Sequence, residues 1–349
     1  LNLSMLYART GKVRPLLRHA REAMTIFGPL GDEPRLALAC HHLGIARRLS
    51  GDLDGAEQAF ARSLRIFSAH SVWGQAGRAA QSLGNLALIR GRPALARNFY
   101  EQSRDLKARA GERGTDAFYR FHLGLVAFER EEYRSAVRSL ARARSACRTA
   151  MPALAFDVLF TLLRSLLALE RYRSFRRLLP RLRRCATLPR QAALAEALEG
   201  LDRWRQGDCR GAAEQFRSAL RVFREPGEEP RPLDRAFVLL AAERAAGGKD
   251  PELSRETTGY LQSLETRGIR ACSLLREKEL RPPAPGTLPS PEEWLGDGPA
   301  ASEVRKLARK AAAGRMPVLI VGASGTGKSL LARRLHALGL MRTRPIGRQ

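Results

Sequence analysis

The chain has 349 residues, of which 61 are Lys or Arg and 35 are Asp or Glu, so its formal net charge is +26. An apolar fraction of 44% is enough for a buried core, whereas no stretch of about 18 uncharged apolar residues is present to span a membrane. Five dispersed cysteines without a C-x-x-C pair exclude a disulfide framework, and favour a reduced, cytoplasmic protein with buried thiols.

The first 280 residues contain a repeated pattern with a period of 40 residues. It begins with a small residue, which stands at Ser4, Gly44, Gly84 and Gly124. Twelve residues later come Leu16, Ala56, Ala96 and Ala136, and four residues further come Ala20, Phe60, Tyr100 and Leu140. The pattern returns at Gly200, Ala212 and Phe216. A degenerate copy includes 172–178, and a weak last pair covers 233–247 and 251–268.

This spacing predicts pairs of antiparallel helices. A small residue on the first helix permits close approach of the second, so we expect Gly84 to face Ala96 and Gly124 to face Ala136. The larger residue one turn beyond each alanine then fills the remaining gap. Gly51-Asp52 has the composition of a turn between the paired helices. Residues 1–280 are therefore expected to be nearly all helical, without strands.

The spacing of the small residues and alanines resembles the tetratricopeptide repeat, whose usual unit is about 34 residues. The resemblance implies a mostly α fold, an α-solenoid of helix-turn-helix units stacked into a right-handed superhelix. Arrays of this kind bind a protein or a peptide in their concave groove. We expect such a partner for residues 1–280.

The positive charge has two explanations. Only seven of the basic residues are lysine, and heavy use of arginine and alanine also follows from a GC-rich coding sequence. If the charge serves an anionic partner such as nucleic acid, we expect the arginines to cluster on the concave face of the first helices. An even spread over both faces would favour the compositional explanation.

A proline-rich stretch at 281–292 separates the array from the second predicted domain, at 293–349. Its prolines forbid a continuous helix and predict a semi-stiff linker. Beyond it, Val318–Val321 is a run of four apolar residues, three of them β-branched. That composition is typical of a buried parallel strand.

The eight residues after this strand match the phosphate-binding pattern G-x-x-x-x-G-K-[ST]. They are Gly322, Ala323, Ser324, Gly325, Thr326, Gly327, Lys328 and Ser329. The glycines let the backbone fold around a phosphate, and backbone N–H groups attract the anion. Lys328 would reach the outer phosphates and the hydroxyl of Ser329 would reach Mg²⁺. The stretch predicts a site for ATP and Mg²⁺; the alternative is a Gly/Ser turn with a solvated lysine.

The residues from Trp294 onward resemble the start of the AAA+ domain of sigma-54-dependent transcription activators. The positions in register are Leu295-Gly296, Val304-Arg305, Ser324 to Lys328, Ala332-Arg333 and His336. Two positions depart, because Ala323 and Ser329 stand where the family usually has glutamates. The resemblance covers about the last 55 residues. It implies a P-loop α/β ATPase that uses ATP and Mg²⁺ to remodel sigma-54 RNA polymerase.

Catalysis in that family requires more than the phosphate loop. It requires an acidic residue on the third core strand (Walker B), sensor residues and an arginine finger from a neighbouring subunit. These parts and the sigma-contacting Gly-Ala-Phe-Thr-Gly-Ala loop are absent from this chain. We expect both ends, Leu1 and Gln349, to be cuts through a longer protein, so 293–349 is the N-terminal part of the AAA+ domain. We assign no catalytic residue.

Three functions are compatible with this organisation. In the first, a repeat array that binds a protein or signal controls the sigma-54 ATPase. In the second, the chain belongs to another P-loop signalling ATPase of the STAND class, in which the nucleotide domain usually precedes the repeats. In the third, the array is a protein-binding scaffold and the P-loop is a non-functional remnant. A Gly-Ala-Phe-Thr-Gly-Ala loop after Gln349 would distinguish the first two.

Overall fold

The computed structural model describes residues 13–112, 115–147, 154–224, 232–247, 250–269 and 307. Over these residues the chain forms thirteen α-helices and no strand, which confirms the prediction of a mostly helical array. The predicted linker at 281–292 and the predicted strand and phosphate loop at 318–329 lie outside the described residues. None of the thirteen helices is long and apolar enough to cross a lipid bilayer.

Helix α1 (Val13–Phe27) is followed by six helix pairs. The pairs are α2 (Glu33–Ser50) with α3 (Leu53–Ala69), α4 (Trp73–Ile89) with α5 (Pro93–Arg109), α6 (Thr115–Glu129) with α7 (Tyr133–Cys147), α8 (Ala155–Ala168) with α9 (Tyr172–Cys185), α10 (Pro189–Arg205) with α11 (Cys209–Arg224), and α12 (Pro232–Ala246) with α13 (Pro251–Thr266). The helices of each pair pack on each other, and most pairs are joined by short turns. Short connections of this kind place neighbouring helices antiparallel.

The repeated glycines lie where the paired helices cross. A Cβ atom added to Gly84 would lie 2.6 Å from Cε1 of Tyr100, and one added to Gly124 would lie 2.6 Å from Cγ of Leu140. Gly44 stands in the same relation to Phe60. The nearest side chain to each glycine is therefore the large residue predicted to fill the gap, and not the alanine. Gly84 and Gly124 thus lie against α5 and α7, the helices that carry Ala96 and Ala136.

The Gly-Asp turns have the predicted geometry. Gly51 and Gly207 have φ angles of 88° and 83°, a left-handed conformation that ends a helix most easily at glycine. The carboxylate of Asp52 then accepts the backbone N–H of Gly55 at 2.9 Å. Asp208 caps α11 in the same way. Each turn therefore ends one helix and begins the next.

The first helices of the pairs form the inner layer of the array. Side-by-side contacts join α2 to α4, α6 to α8, α8 to α10, and α10 to α12, whereas the second helices of successive pairs are farther apart. A curved stack brings its elements closest on the concave side. We therefore call the first helices the inner layer and the second helices the outer layer.

Residues at the end of the helical array contact the first helix pair. A Cβ atom on Gly51, in the turn between α2 and α3, would lie 2.8 Å from Nε of Arg267. One on Gly268 would lie 3.8 Å from Cδ1 of Leu53, and the adjacent Ile269 is buried. The chain thus leaves the array beside the repeat with which the array began.

The cysteines were expected to be buried, and two of the four described ones are. Cys40 and Cys147 are buried, and burial raises the pKa of both thiols. Cys185 is half-buried, however, and Cys209 is exposed. Cys209 is the first residue of α11.

Candidate ligand-binding site on the first helices

The predicted nucleotide-binding residues, Gly322 to Ser329, lie outside the described residues. Polar and aromatic side chains on the inner layer are candidates for binding a ligand. They form two groups, one centred on α4 and one centred on α8. No cluster of His, Cys, Asp and Glu suited to a metal ion occurs in the described part of the chain.

The α4 group is organised by a buried lysine. Lys107 of α5 is 8% exposed, and it passes α4 at Gly77, where a Cβ atom would lie 2.7 Å from its Cγ. Its ammonium donates to Oε1 of Gln81 at 2.7 Å and lies 4.7 Å from the centre of the Phe118 ring. An ammonium cannot accept a hydrogen bond, so the Gln81 carbonyl must face Lys107. The Gln81 NH₂ group is left pointing away from the lysine.

Asn85 has the same arrangement one helical turn further along α4. The hydroxyl of Tyr100 donates to Oδ1 of Asn85 at 2.8 Å. The Tyr100 ring is 2% exposed and lies 4.2 Å, centre to centre, from the His122 ring. In the described part of the chain, no group accepts a hydrogen bond from the side-chain nitrogen of Gln81 or Asn85. Both half-buried amides thus keep a donor group for a ligand.

The histidines around this group are neutral at physiological pH. Burial lowers the pKa of His122 to about 4, and burial lowers the pKa of His41 to about 3, with His42 and Arg78 acting in the same direction. His41 shares a 3.0 Å hydrogen bond with Ser82, which links α2 to α4. Burial also lowers the pKa of Lys107, with Glu112 opposing this effect. The histidines of the group therefore add no charge to the amide donors, and its buried cation is Lys107.

The α8 group surrounds a guanidinium with aromatic rings. The Arg164 guanidinium carbon lies 4.6 Å from the centre of the Phe128 ring, 4.7 Å from that of Phe237 and 5.7 Å from that of Phe160. The rings come from three inner helices, α6, α12 and α8. The faces of the rings attract the cation and hold it in place. Arg164 itself is half-buried, and its guanidinium is held among these three rings.

Neither group was identified from the sequence. Gln81 and Asn85 flank the repeated Gly84, and on a helix they share a face four residues apart. That spacing could have identified the pair of amides from the sequence. Arg164 stands 40 residues after Gly124, where the regular pattern lapses. Nothing in the local sequence indicates the three phenylalanines that surround it.

Comparison with known proteins gives different matches for the C-terminal part of the chain and for the helical array. Residues 294–347 match the family described as the sigma-54 interaction domain, as the sequence resemblance predicted. None of the curated proteins matches the chain.

The helical array is similar to solved structures of Rap proteins. One is a Rap protein complexed with competence and sporulation factor, with a TM-score of 0.62, 12% identity and coverage of 76% of this chain and 74% of that chain. Another is the apo form of RapI, with a TM-score of 0.59, 16% identity and coverage of 76% and 95%. At such identities the likeness shows the fold, a TPR-like helical repeat.

Proposed function

We propose that the array is a receptor for a peptide or an extended protein segment, and that it regulates the sigma-54 ATPase domain begun at 293–349. The observation that carries the proposal is the pair of oriented amides, Gln81 and Asn85, on the inner-layer helix α4. The match of residues 294–347 to the sigma-54 interaction domain supports the regulatory part. One of the structures with a similar fold holds a bound factor named in its description.

The spacing of the two amides fits an extended backbone. Residues four apart on a helix are displaced by about 6 Å along its axis. Alternate carbonyl groups of an extended chain repeat at about 6.6 Å. Gln81 and Asn85 can therefore donate to two carbonyl oxygens on one edge of the same peptide.

Arg164 supplies the second contact. Packed helices lie about 8–10 Å apart, so α4 and α8, two inner helices apart, are separated by roughly 20 Å. An extended peptide of about six residues spans that distance. A carboxylate at its far end, either a side chain or the C-terminus, would pair with the Arg164 guanidinium.

The position of the array's end supports coupling to the ATPase. The chain leaves the array beside the turn between α2 and α3, because Arg267 and Gly268 contact Gly51 and Leu53. A ligand that changes the curvature of the inner layer would alter this contact. Residues 293–349 would then receive the signal, with Lys328 and Ser329 as the residues that hold the phosphates and Mg²⁺ of ATP.

The peptide site can be tested without changing the packing beneath it. Hexapeptides selected from a displayed library on the 349-residue chain should bind at least about 30-fold more weakly to the double variant Gln81→Glu/Asn85→Asp. Each substitution keeps the oxygen that faces Lys107 or Tyr100 and replaces the donor NH₂ with an acceptor. Loss of two hydrogen bonds to the ligand costs about 2–3 kcal/mol. Fluorescence anisotropy of the labelled peptide measures the change.

The chain offers a matched control for this experiment. Asn98 and Gln102 are exposed on the outer helix α5, also four residues apart. Asn98→Asp/Gln102→Glu makes the same change of charge and should shift the Kd less than about threefold, since rim charges on the opposite face contribute little to affinity. Equal weakening by both double variants would show that the amides do not bind the peptide.

The nucleotide site gives a separate prediction. We expect the 349-residue chain to bind ATP weakly and to show no steady hydrolysis, because the acidic and arginine residues that catalysis needs are not in it. Against a Kd of about 1 mM, millimolar ATP would raise the unfolding free energy by only about 0.4 kcal/mol. Steady turnover that disappears in Lys328→Ala would contradict this expectation.

A further inference from the structure

The outer helices α7, α9 and α11 carry most of the positive charge of three successive pairs. Together they contain fourteen arginines and a single acidic residue, Glu214. Their inner partners α6, α8 and α10 contain five arginines and six acidic residues. The charge is thus sorted between the two layers of the same repeats.

This sorting differs from both expectations drawn from the sequence. The arginines cluster, but on the outer layer and not on the concave first helices. A GC-rich coding sequence raises the arginine content of all helices alike, and it does not remove acidic residues from one layer alone. Composition therefore leaves the asymmetry unexplained.

Eight of these arginines are exposed and form no ion pair with a carboxylate in the described part of the chain. They are Arg134, Arg138, Arg142, Arg177, Arg181, Arg184, Arg217 and Arg221. Others on the same helices have structural partners: Arg176 pairs with Asp202 at 3.0 Å, and Arg183 pairs with Glu199. The acidic residues of the inner layer thus neutralise arginines at the layer boundary and leave the outward-facing ones uncompensated.

The eight arginines form one stripe on each helix. Within a stripe the residues are three or four positions apart, which is the spacing of one helical face and places them about 5–6 Å apart. The opposite face of each helix is buried, for example at Leu140, Phe175 and Phe216. We call this surface of α7, α9 and α11 the arginine face.

We propose that the arginine face binds the phosphate backbone of double-stranded DNA. Arginine pairs with phosphate through a planar fork of donors, and a duplex presents one negative charge per about 1.7 Å of its axis. The exposed large apolar residues in the described part of the chain are Ile26, Leu30, Leu188 and Leu307. None lies on the arginine face, which therefore lacks the aromatic platforms that single strands require and the apolar anchors that membrane surfaces favour.

The test uses the 349-residue chain and a fluorescein-labelled 30-base-pair duplex of arbitrary sequence, with anisotropy measured between roughly 50 and 300 mM salt. The variant Arg138→Gln/Arg181→Gln/Arg221→Gln removes one exposed arginine from each stripe. Its control, Arg62→Gln/Arg65→Gln/Arg97→Gln, makes the same charge change at exposed positions of α3 and α5. A third variant replaces Arg138, Arg181 and Arg221 with lysine. Circular dichroism establishes that all four proteins are equally folded.

We expect the glutamine variant to bind DNA at least about 30-fold more weakly near 100 mM salt, and the slope of log K against log salt to flatten by about 2.7, or 0.9 for each lost contact. The control should change by less than threefold, and the lysine variant should keep most of the salt dependence. Equal losses in the test and control variants would overturn the proposal, because the attraction would then be a property of net charge alone. The proposal would also be overturned if the protein bound phosphatidylserine vesicles through the same three arginines but did not bind DNA.

Discussion

Gly124→Leu should lower the unfolding free energy of the array by about 3 kcal/mol or more. A Cβ atom at this position would lie 2.6 Å from both Cγ and Cδ2 of Leu140, and Leu140 is fully buried. The two helices cannot move apart easily to accommodate the leucine, since α6 and α7 pack closely against each other. Overfilling a well-packed site forces side chains and backbone apart, at a cost of about 1–3 kcal/mol and occasionally more. Urea unfolding followed by circular dichroism measures the change.

Gly259→Ala serves as the control for this experiment. Gly259 lies within α13, and no atom stands within 4 Å of the position that its Cβ would occupy. Alanine there should be neutral or stabilise by up to about 1 kcal/mol, since glycine is the poorer helix former. If Gly124→Leu unfolded at the same urea concentration as the wild type, the close crossing of α6 and α7 would be wrong.

Acid should weaken the array well before its carboxylates are protonated. His42 and His122 are 5% and 3% exposed, and burial lowers the pKa of each to about 4. Because the pKa of each is lower in the folded state, the unfolded chain binds the proton first as the pH falls. The stabilisation is complete above about pH 6.5 and is lost progressively toward pH 4. At pH 5 each histidine should cost about 1–2 kcal/mol relative to pH 7.

His122→Gln tests the His122 part of this effect. A glutamine can keep a hydrogen bond to the Phe118 carbonyl, which His122 makes through Nδ1 at 2.7 Å, but it does not titrate. The variant should be less stable than wild type at pH 7 and should lose less stability between pH 7 and pH 5. His70→Gln changes an exposed residue and is the control. An identical pH dependence in wild type and His122→Gln would show that His122 is not buried in its neutral form.

The local features of the array could be predicted from the sequence. The 40-residue period identified the helix pairs, and the glycine, alanine and aromatic positions identified their crossings. Gly51-Asp52 identified a turn that ends one helix and caps the next. All of these depend on residues close together in the chain, whose spacing is imposed by the 3.6-residue helical turn. The site for ATP at Gly322 to Ser329 stays a prediction, although residues 294–347 match the expected family.

The candidate groove and the arginine face depend on contacts that the repeat period does not encode. Lys107 reaches Gln81 across 26 residues, and Arg164 meets phenylalanines from helices that begin at 115 and at 232. Which helix of each pair lies inside is set by the rotation of every repeat on the one before it. That rotation is the sum of many packing contacts between successive pairs. Periodicity in the sequence therefore defined the repeating unit, whereas only tertiary packing determined which residues face the groove and which arginines face outward.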